Sequence, residues 1–187
     1  MNGESVYMYE AIRRAKDNGH CGNPVKNGVH REIQYPHQTE GEVIERLENR
    51  ICRTPGIWRI YRSVNSRDTL KAKIDLINIL VQQLAAPMSV TKKNPESVWK
   101  TALMQPKNRA ERKYLIDIDT KDWEMVHQIQ EAIIDKAIIL DTIETPNGYH
   151  MITTPFDARL LAIWKDVASV QKDALYFVKK LEVPSHA

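Results

Sequence analysis

The run Tyr114-Leu115-Ile116-Asp117-Ile118-Asp119 limits the folds open to this chain more than any other stretch. Its apolar start passes into an alternation of isoleucine and aspartate, the pattern of a strand buried on at least one face. Residues two apart on a strand point to the same side, so Asp117 and Asp119 share a face while Ile116 and Ile118 turn to the core. Two carboxylates placed this way repel each other unless a proton or a cation lies between them. A hard divalent ion, Mg²⁺ or Mn²⁺, held through oxygen ligands is one answer. Solvated acids at a strand end, or a helix cap at Thr120-Lys121-Asp122, are the other.

Charge is segregated along the chain. Between Arg50 and Lys73 there are seven Lys/Arg and one Asp, and between Thr91 and Lys113 seven Lys/Arg and two Glu. Between Asp117 and Glu144 the balance reverses, to eight Asp/Glu against two Lys. An acidic centre flanked by basic segments suits metal ions holding a polyanion whose phosphates are gripped by Lys and Arg. Ordinary solvated helix faces would give the same counts. Two cysteines, Cys21 and Cys52, make neither a disulfide framework nor a Cys-x-x-Cys zinc site. The chain's start has no apolar stretch long enough for a signal peptide, and no run approaches a membrane span. The expectation is a reduced, soluble, cytoplasmic protein that does not engage a membrane.

At 187 residues the chain has room for one domain, or for one domain with a small appendage. Residues 1–38 read as an irregular N-terminal segment draped over the domain, with a short helix over Tyr7 to Lys16. His20, Cys21, His30 and His37 match no standard zinc-finger spacing. From 39 to 187 a single domain is expected. Thr39-Glu40-Gly41-Glu42 is a capping box, opening a helix with Val43, Leu47 and Ile51 on one stripe. Ile57 to Arg62 alternates as a strand. Asn65 or Ser66 then caps a long helix, closed by Pro87, whose stripe Leu70, Ile74, Ile77, Val81 and Leu84 is expected to be core. A short helix follows around Pro95 to Met104. After the Asp-x-Asp strand come a helix from about Asp122 to Asp135 and a strand over Lys136 to Glu144. A turn at Pro146-Asn147-Gly148 makes a hairpin with Tyr149 to Thr154. Asp157 caps a short helix, and Val167 to Gln171 and Ala174 to Lys179 are final strands. The order predicts an α+β fold, helices covering one side of a mixed or antiparallel sheet. Arg59, Arg62 and Arg67, on a strand and the turn after it, are either phosphate ligands or surface arginines.

An Asp-x-Asp strand, a helix, and a hairpin bearing Gly148-Tyr149-His150 resemble the catalytic core of the archaeo-eukaryotic primase superfamily, the primase-polymerases. The likeness spans roughly residues 57–180 and rests on motifs. It implies an RRM-like core whose strand acids Asp117 and Asp119, with a third acid, hold two Mg²⁺ or Mn²⁺ ions for templated nucleotidyl transfer. Asp173, between two strand candidates, is the expected third acid, and Asp157 has the simpler task of capping. His150 and the Asn147-Gly148 backbone would touch the incoming nucleoside triphosphate. Thr145 stands near the position where the family carries a serine, at slightly different spacing. Arg59, Arg62, Arg67, Lys92–Lys93 and the Lys107–Lys113 segment would hold phosphates of the nucleotide or of single-stranded or primed nucleic acid. A replication partner protein is a further expectation.

Two other classes compete. A stand-alone core with an imperfect third motif would bind nucleotide or nucleic acid without polymerising. Other Asp-x-Asp metal enzymes fit less well: no Glu-x-Lys follows Asp117 as restriction-type nucleases require, and residues 1–110 do not resemble the nucleotide-binding half of a sugar transferase.

Overall fold

The computed structural model describes residues 4–18, 28–86 and 94–184. Among the described residues the fold is α+β with antiparallel sheets and five helices. The chain divides into two compact units, one of residues 1–62, 66–110 and 178–187, the other of residues 63–65 and 111–177. His20, Cys21, Pro87 and Lys92–Lys93 lie outside the described residues.

In the first unit, β1 (Ser5–Arg13) pairs antiparallel with β2 (Gly28–Gln34), β3 (Gly56–Ser63) and the short β4 (Arg67–Asp68). The sheet order is β2-β1-β3-β9, with β9 formed by Leu175–Val183. This corrects the expectation of an irregular segment over 1–38 with a helix over Tyr7 to Lys16. Those residues supply the most buried strand of the sheet. Val6 and Met8 enter a cluster with Ala72 and Leu103 on one face, while Tyr9 and Ala11 enter a cluster with Val43, Leu47, Ile51 and Ile60 on the other. Four-residue α1 (Ala15–Asn18) follows β1 directly.

Helix α2 (Glu40–Ile51) is opened by Thr39 and Glu42 in the expected reciprocal capping box, and its buried residues are Val43, Leu47 and Ile51. Helix α3 (Thr69–Ala85) starts later than expected, because its cap is Asp68, whose carboxylate accepts from the amides of Leu70 and Lys71. Its inward face is also different. Thr69, Ala72 and Asp75 are buried, whereas Leu70, Ile74, Ile77, Val81 and Leu84, expected in the core, are all exposed, from 46% at Leu70 to 75% at Leu84. Helix α4 (Pro95–Leu103), opened by Asn94, packs on α3.

The second unit holds a four-stranded antiparallel sheet of order β6-β7-β5-β8, with β5 at Tyr114–Ile118, β6 at Ile139–Glu144, β7 at Tyr149–Thr153 and β8 at Ala168–Gln171. Helix α5 (Trp123–Ile133), capped by Asp122, connects β5 to β6, and a 3-10 segment over Ala158–Trp164, capped by Asp157, lies between β7 and β8. Ile116, Ile118 and Met151 on one face pack against Val126, Ile129 and Ile133 of α5 and Leu161. On the other face, Leu115 and Ile152 pack against Val64 and Ala174. Asp117 and His150 project to that second face. Among the described residues no helix is long and apolar enough to cross a membrane.

Candidate functional site

Asp117 and His150 are direct cross-strand partners in the β5–β7 register. Opposed residues of an antiparallel pair point to the same face, with Cβ atoms about 5 Å apart. The register therefore brings an imidazole to a carboxylate without help from any loop. His150 Nε2 stands 3.3 Å from Asp117 Oδ1, with the histidine side chain 11% exposed and the aspartate 32%. The other ring nitrogen, Nδ1, accepts from the backbone amide of Phe177 at 2.9 Å. A ring nitrogen that accepts carries no proton, so in the neutral ring Nε2 carries it and donates toward Asp117. The aspartate side chain is partly exposed, with Oδ1 the oxygen nearer the histidine.

On the far side of Asp117, β8 places Ser169 directly opposite it and Gln171 opposite Leu115. Gln171 Nε2 lies 3.5 Å from Asp117 Oδ2. Neither residue was singled out from the sequence. The alternating Ala168-Ser169-Val170-Gln171 marked a strand, but the register with β5 is what sets its two polar side chains beside Asp117.

Asp119 follows β5 immediately and is exposed, its amide donating to Val167 O at 2.8 Å. Around the β6–β7 turn, the Thr145 amide donates to Gly148 O at 2.8 Å and the Thr145 hydroxyl accepts from the Gly148 amide at 3.1 Å. The Gly148 amide is thus turned inward to Thr145. Gly148 is buried, and a Cβ there would collide with the carbonyl oxygen of Ile118. Glycine at 148 lets the hairpin turn close over the end of β5, which explains it without a phosphate. Asn147 is exposed at the tip of the same turn. Lys121, expected only as part of a helix cap, ties that turn to the Asp119 end of β5. Its ammonium donates to Glu144 Oε1 and Thr145 O, both at 2.6 Å.

Asp173 stands apart. Because Leu115 faces Gln171 in an antiparallel register, the chain beyond Gln171 runs toward Lys113, away from Asp119. Asn65 fixes the same end: its Oδ1 accepts from the Lys113 amide at 2.6 Å and its Nδ2 donates to Lys172 O at 3.3 Å. Among the described residues, Asp117, Asp119 and Asp173 are not gathered into a group arranged to hold a metal ion.

The three arginines belong to the first unit. Arg59 is paired with Asp17 at 2.9 Å, and Arg62 lies 3.9 Å over the Tyr7 ring with Glu40 at 3.5 Å. Arg67 is 1% exposed. Lys107 pairs with Asp75 at 2.6 Å and Lys113 with Glu111 at 2.8 Å. A cavity of about 240 Å³ beside β2 and α4 is lined by Arg31, Arg50 and Lys100, and these cations are paired with Glu10, Glu32 and Glu96. His30 in its wall is held below its ordinary pKa by burial and, next, by the Arg50 charge. Much of the basic charge counted in the sequence is thus taken up by ion pairs, most of them within the first unit.

Among the described residues no group of three or more His, Cys, Asp or Glu side chains is arranged to hold a metal ion. Two carboxylates nevertheless suit Mg²⁺, which takes one or two protein carboxylates and completes its octahedron with water and substrate phosphates. Asp117 and Asp119 are the residues that would hold it. Comparison with protein-family models, with curated proteins and with solved structures gives no match.

Proposed function

We propose that the second unit is a primase-polymerase-like nucleotide site, which transfers a nucleotidyl group from a nucleoside triphosphate to single-stranded or primed nucleic acid with Mg²⁺ or Mn²⁺ bound at Asp117 and Asp119. The observation that carries this reading is the Asp117–His150 pair, 3.3 Å apart on neighbouring central strands. The surrounding sheet supports it. Order β6-β7-β5-β8, with α5 and the 3-10 segment at 158–164 as connections, is compatible with the split β-α-β plan of an RRM-like core. A bound divalent ion supplies charge neutralisation for the attacking and leaving oxygens. The chain's own groups do the rest: Asp117 and Asp119 provide hard oxygen ligands, and the Nε2 proton of His150 is available to a phosphate oxygen that displaces the carboxylate.

The position of Asp173 favours a second reading, in which the same site binds nucleotide or nucleic acid without transfer. The strand next to Asp117 offers Ser169 and Gln171 rather than a third acid. Primer extension with Mn²⁺ and a mixture of ribo- and deoxynucleoside triphosphates separates the two. Extension that is lost in Asp117→Asn supports transfer. Metal-dependent nucleotide binding without extension supports the binding module, and no nucleotide binding at all sinks both.

A further inference from the structure

The strongest unexplained feature lies in the first unit, on α3. Its exposed apolar residues Leu70, Ile74, Ile77, Val81 and Leu84 are spaced by four, three, four and three positions. That is the heptad spacing of a helix-pairing seam, with Ile74 and Val81 at the a positions and Leu70, Ile77 and Leu84 at d. The opposite face of α3 is already occupied, with Ala72 and Asp75 buried and α4 packed on the helix. The stripe is continuous over a helix of 17 residues, about 25 Å long. Isolated exposed aliphatics are normal on a protein surface, but five in one seam are not.

We propose that α3 pairs with α3 of a second copy of this chain, in parallel, making a homodimer through this seam. Self-pairing follows from the residues. A two-fold interface must be complementary to itself, and β-branched side chains at a with leucine at two of three d positions favour two parallel strands. A parallel register stacks all five seam residues on their own counterparts. An antiparallel one must offset them and leaves an end residue without a partner layer. Flanking charge agrees: Lys73 at g faces Asn78 at e of the other copy, so no like charges oppose each other. A partner selected by charge would need a run of one sign beside the seam; on α3 itself the flanking charges are Lys71 and Lys73, and Lys107, near Val81, is paired with Asp75. A helix lying on a lipid surface carries its cationic residues along the face opposite the apolar one, and in α3 that face is covered by protein.

Area sets the affinity class. The five exposures together amount to about three fully exposed aliphatic side chains, on the order of 400 Å² of apolar surface per copy. Two copies would bury roughly 800 Å² through the seam, below the ~1,200 Å² of stable complexes and within the transient class. The dimer is concentration-dependent, with micromolar rather than nanomolar dissociation.

Sedimentation equilibrium of the full chain from about 5 to about 500 µM spans a micromolar dissociation constant. The expected mass rises from the monomer's 21.6 kDa toward twice that value. Ile77→Glu and, independently, Val81→Glu should hold the chain monomeric throughout, with an unchanged far-UV circular dichroism spectrum because both positions are exposed. Ile163→Glu, at an equally exposed site in the second unit, should leave the association as it is. With Cys21 and Cys52 changed to serine, Leu84→Cys should cross-link copies on mild oxidation, as only a parallel register brings the two 84 positions together. A wild-type chain monomeric at the highest concentration overturns the proposal, including one whose α3 captures lipid vesicles instead. So does association that survives both seam substitutions or is lost in Ile163→Glu. Failure of the Leu84→Cys cross-link in a proven dimer overturns the parallel register.

Discussion

The backbone amide of Phe177 donates to Nδ1 of His150 at 2.9 Å, and this bond decides which proton the histidine can offer. A lone pair occupied by an N–H cannot also carry a proton, so the neutral ring is the Nε2–H tautomer, aimed at Asp117. Nitrogen-15 shifts of the His150 ring, measured above pH 8, should show a protonated Nε2 and a bare Nδ1. Asp117→Asn should leave that assignment unchanged, because the tautomer is fixed from the other side of the ring. A bare Nε2 in the wild-type chain would remove His150 as a donor to phosphate.

Gly148 and Gly41 make opposite predictions. At 148 a methyl group would run into the backbone of Ile118 and Thr120, which cannot retreat without parting β5 from the hairpin. Gly148→Ala should therefore lower stability by about 3 kcal/mol, at the upper end of overpacking effects. At 41, in the first turn of α2, the nearest atom to such a methyl is Thr39 Oγ1 at 4.0 Å. Gly41→Ala should raise stability by roughly 0.5–1 kcal/mol through helix propensity and a less flexible unfolded chain. Urea titrations of the two variants give both numbers, and equal effects at the two sites would contradict the close approach at 148.

Local signals were legible in the sequence. Thr39 and Glu42 marked the start of α2, Asp122 and Asp157 were read as caps or helix starts, and Pro146-Asn147-Gly148 marked a hairpin, because each acts within a few residues. Asp117 and His150 were both singled out from their motifs. Their pairing also depended on two strands meeting in one register. Strand β1 was missed because it is buried on both faces, which hides the alternation. Its one buried acid, Glu10, is neutralised by Arg31, 21 residues away. The apolar stripe of α3 was seen, but periodicity shows that a helix has an apolar face and not what that face meets. The end of β8 at which Asp173 falls was not legible, because strand register is a non-local property.

Asp75 should make the first unit acid-sensitive. Hydrogen bonding from the Lys107 ammonium at 2.6 Å holds its carboxyl below the usual aspartate value, against the opposing effect of burial, and the Asn108 amide adds to the lowering. A folded-state pKa below the unfolded one gives stability that is present above about pH 3.9 and lost as pH falls through the folded value. Asp75→Asn should lower stability by about 1–3 kcal/mol at pH 7, since it removes a hydrogen-bonded charge from a buried position. The gap between wild type and variant should narrow as pH falls from 5 to 2. A gap that is constant across that range would mean the carboxylate's charge contributes nothing.

Triphosphate should bind the second unit better than monophosphate, and only with metal. Asp117 and Asp119 present negative charge at one end of the sheet, which repels phosphate at any separation below a Debye length of about 10 Å. Without a divalent ion, ATP and AMP should therefore both bind poorly, and ATP, the more highly charged, should gain nothing from its extra phosphates. With Mn²⁺ on the two carboxylates the sign reverses, and each added phosphate contributes further oxygen ligands and a possible acceptor for His150 Nε2. AMP reaches fewer of these contacts. His150→Ala should then weaken ATP more than AMP, by about tenfold for one lost hydrogen bond to a charged group. Asp117→Asn should abolish the Mn²⁺ dependence with a loss of stability near 1 kcal/mol, since Asp117 is partly exposed and its contacts to His150 and Gln171 are long. Calorimetric titration of ATP and AMP into the wild type and both variants, with and without Mn²⁺, measures every term. Equal affinities for the two nucleotides, or binding indifferent to Mn²⁺, would leave the Asp117–His150 pair as a structural contact of the sheet.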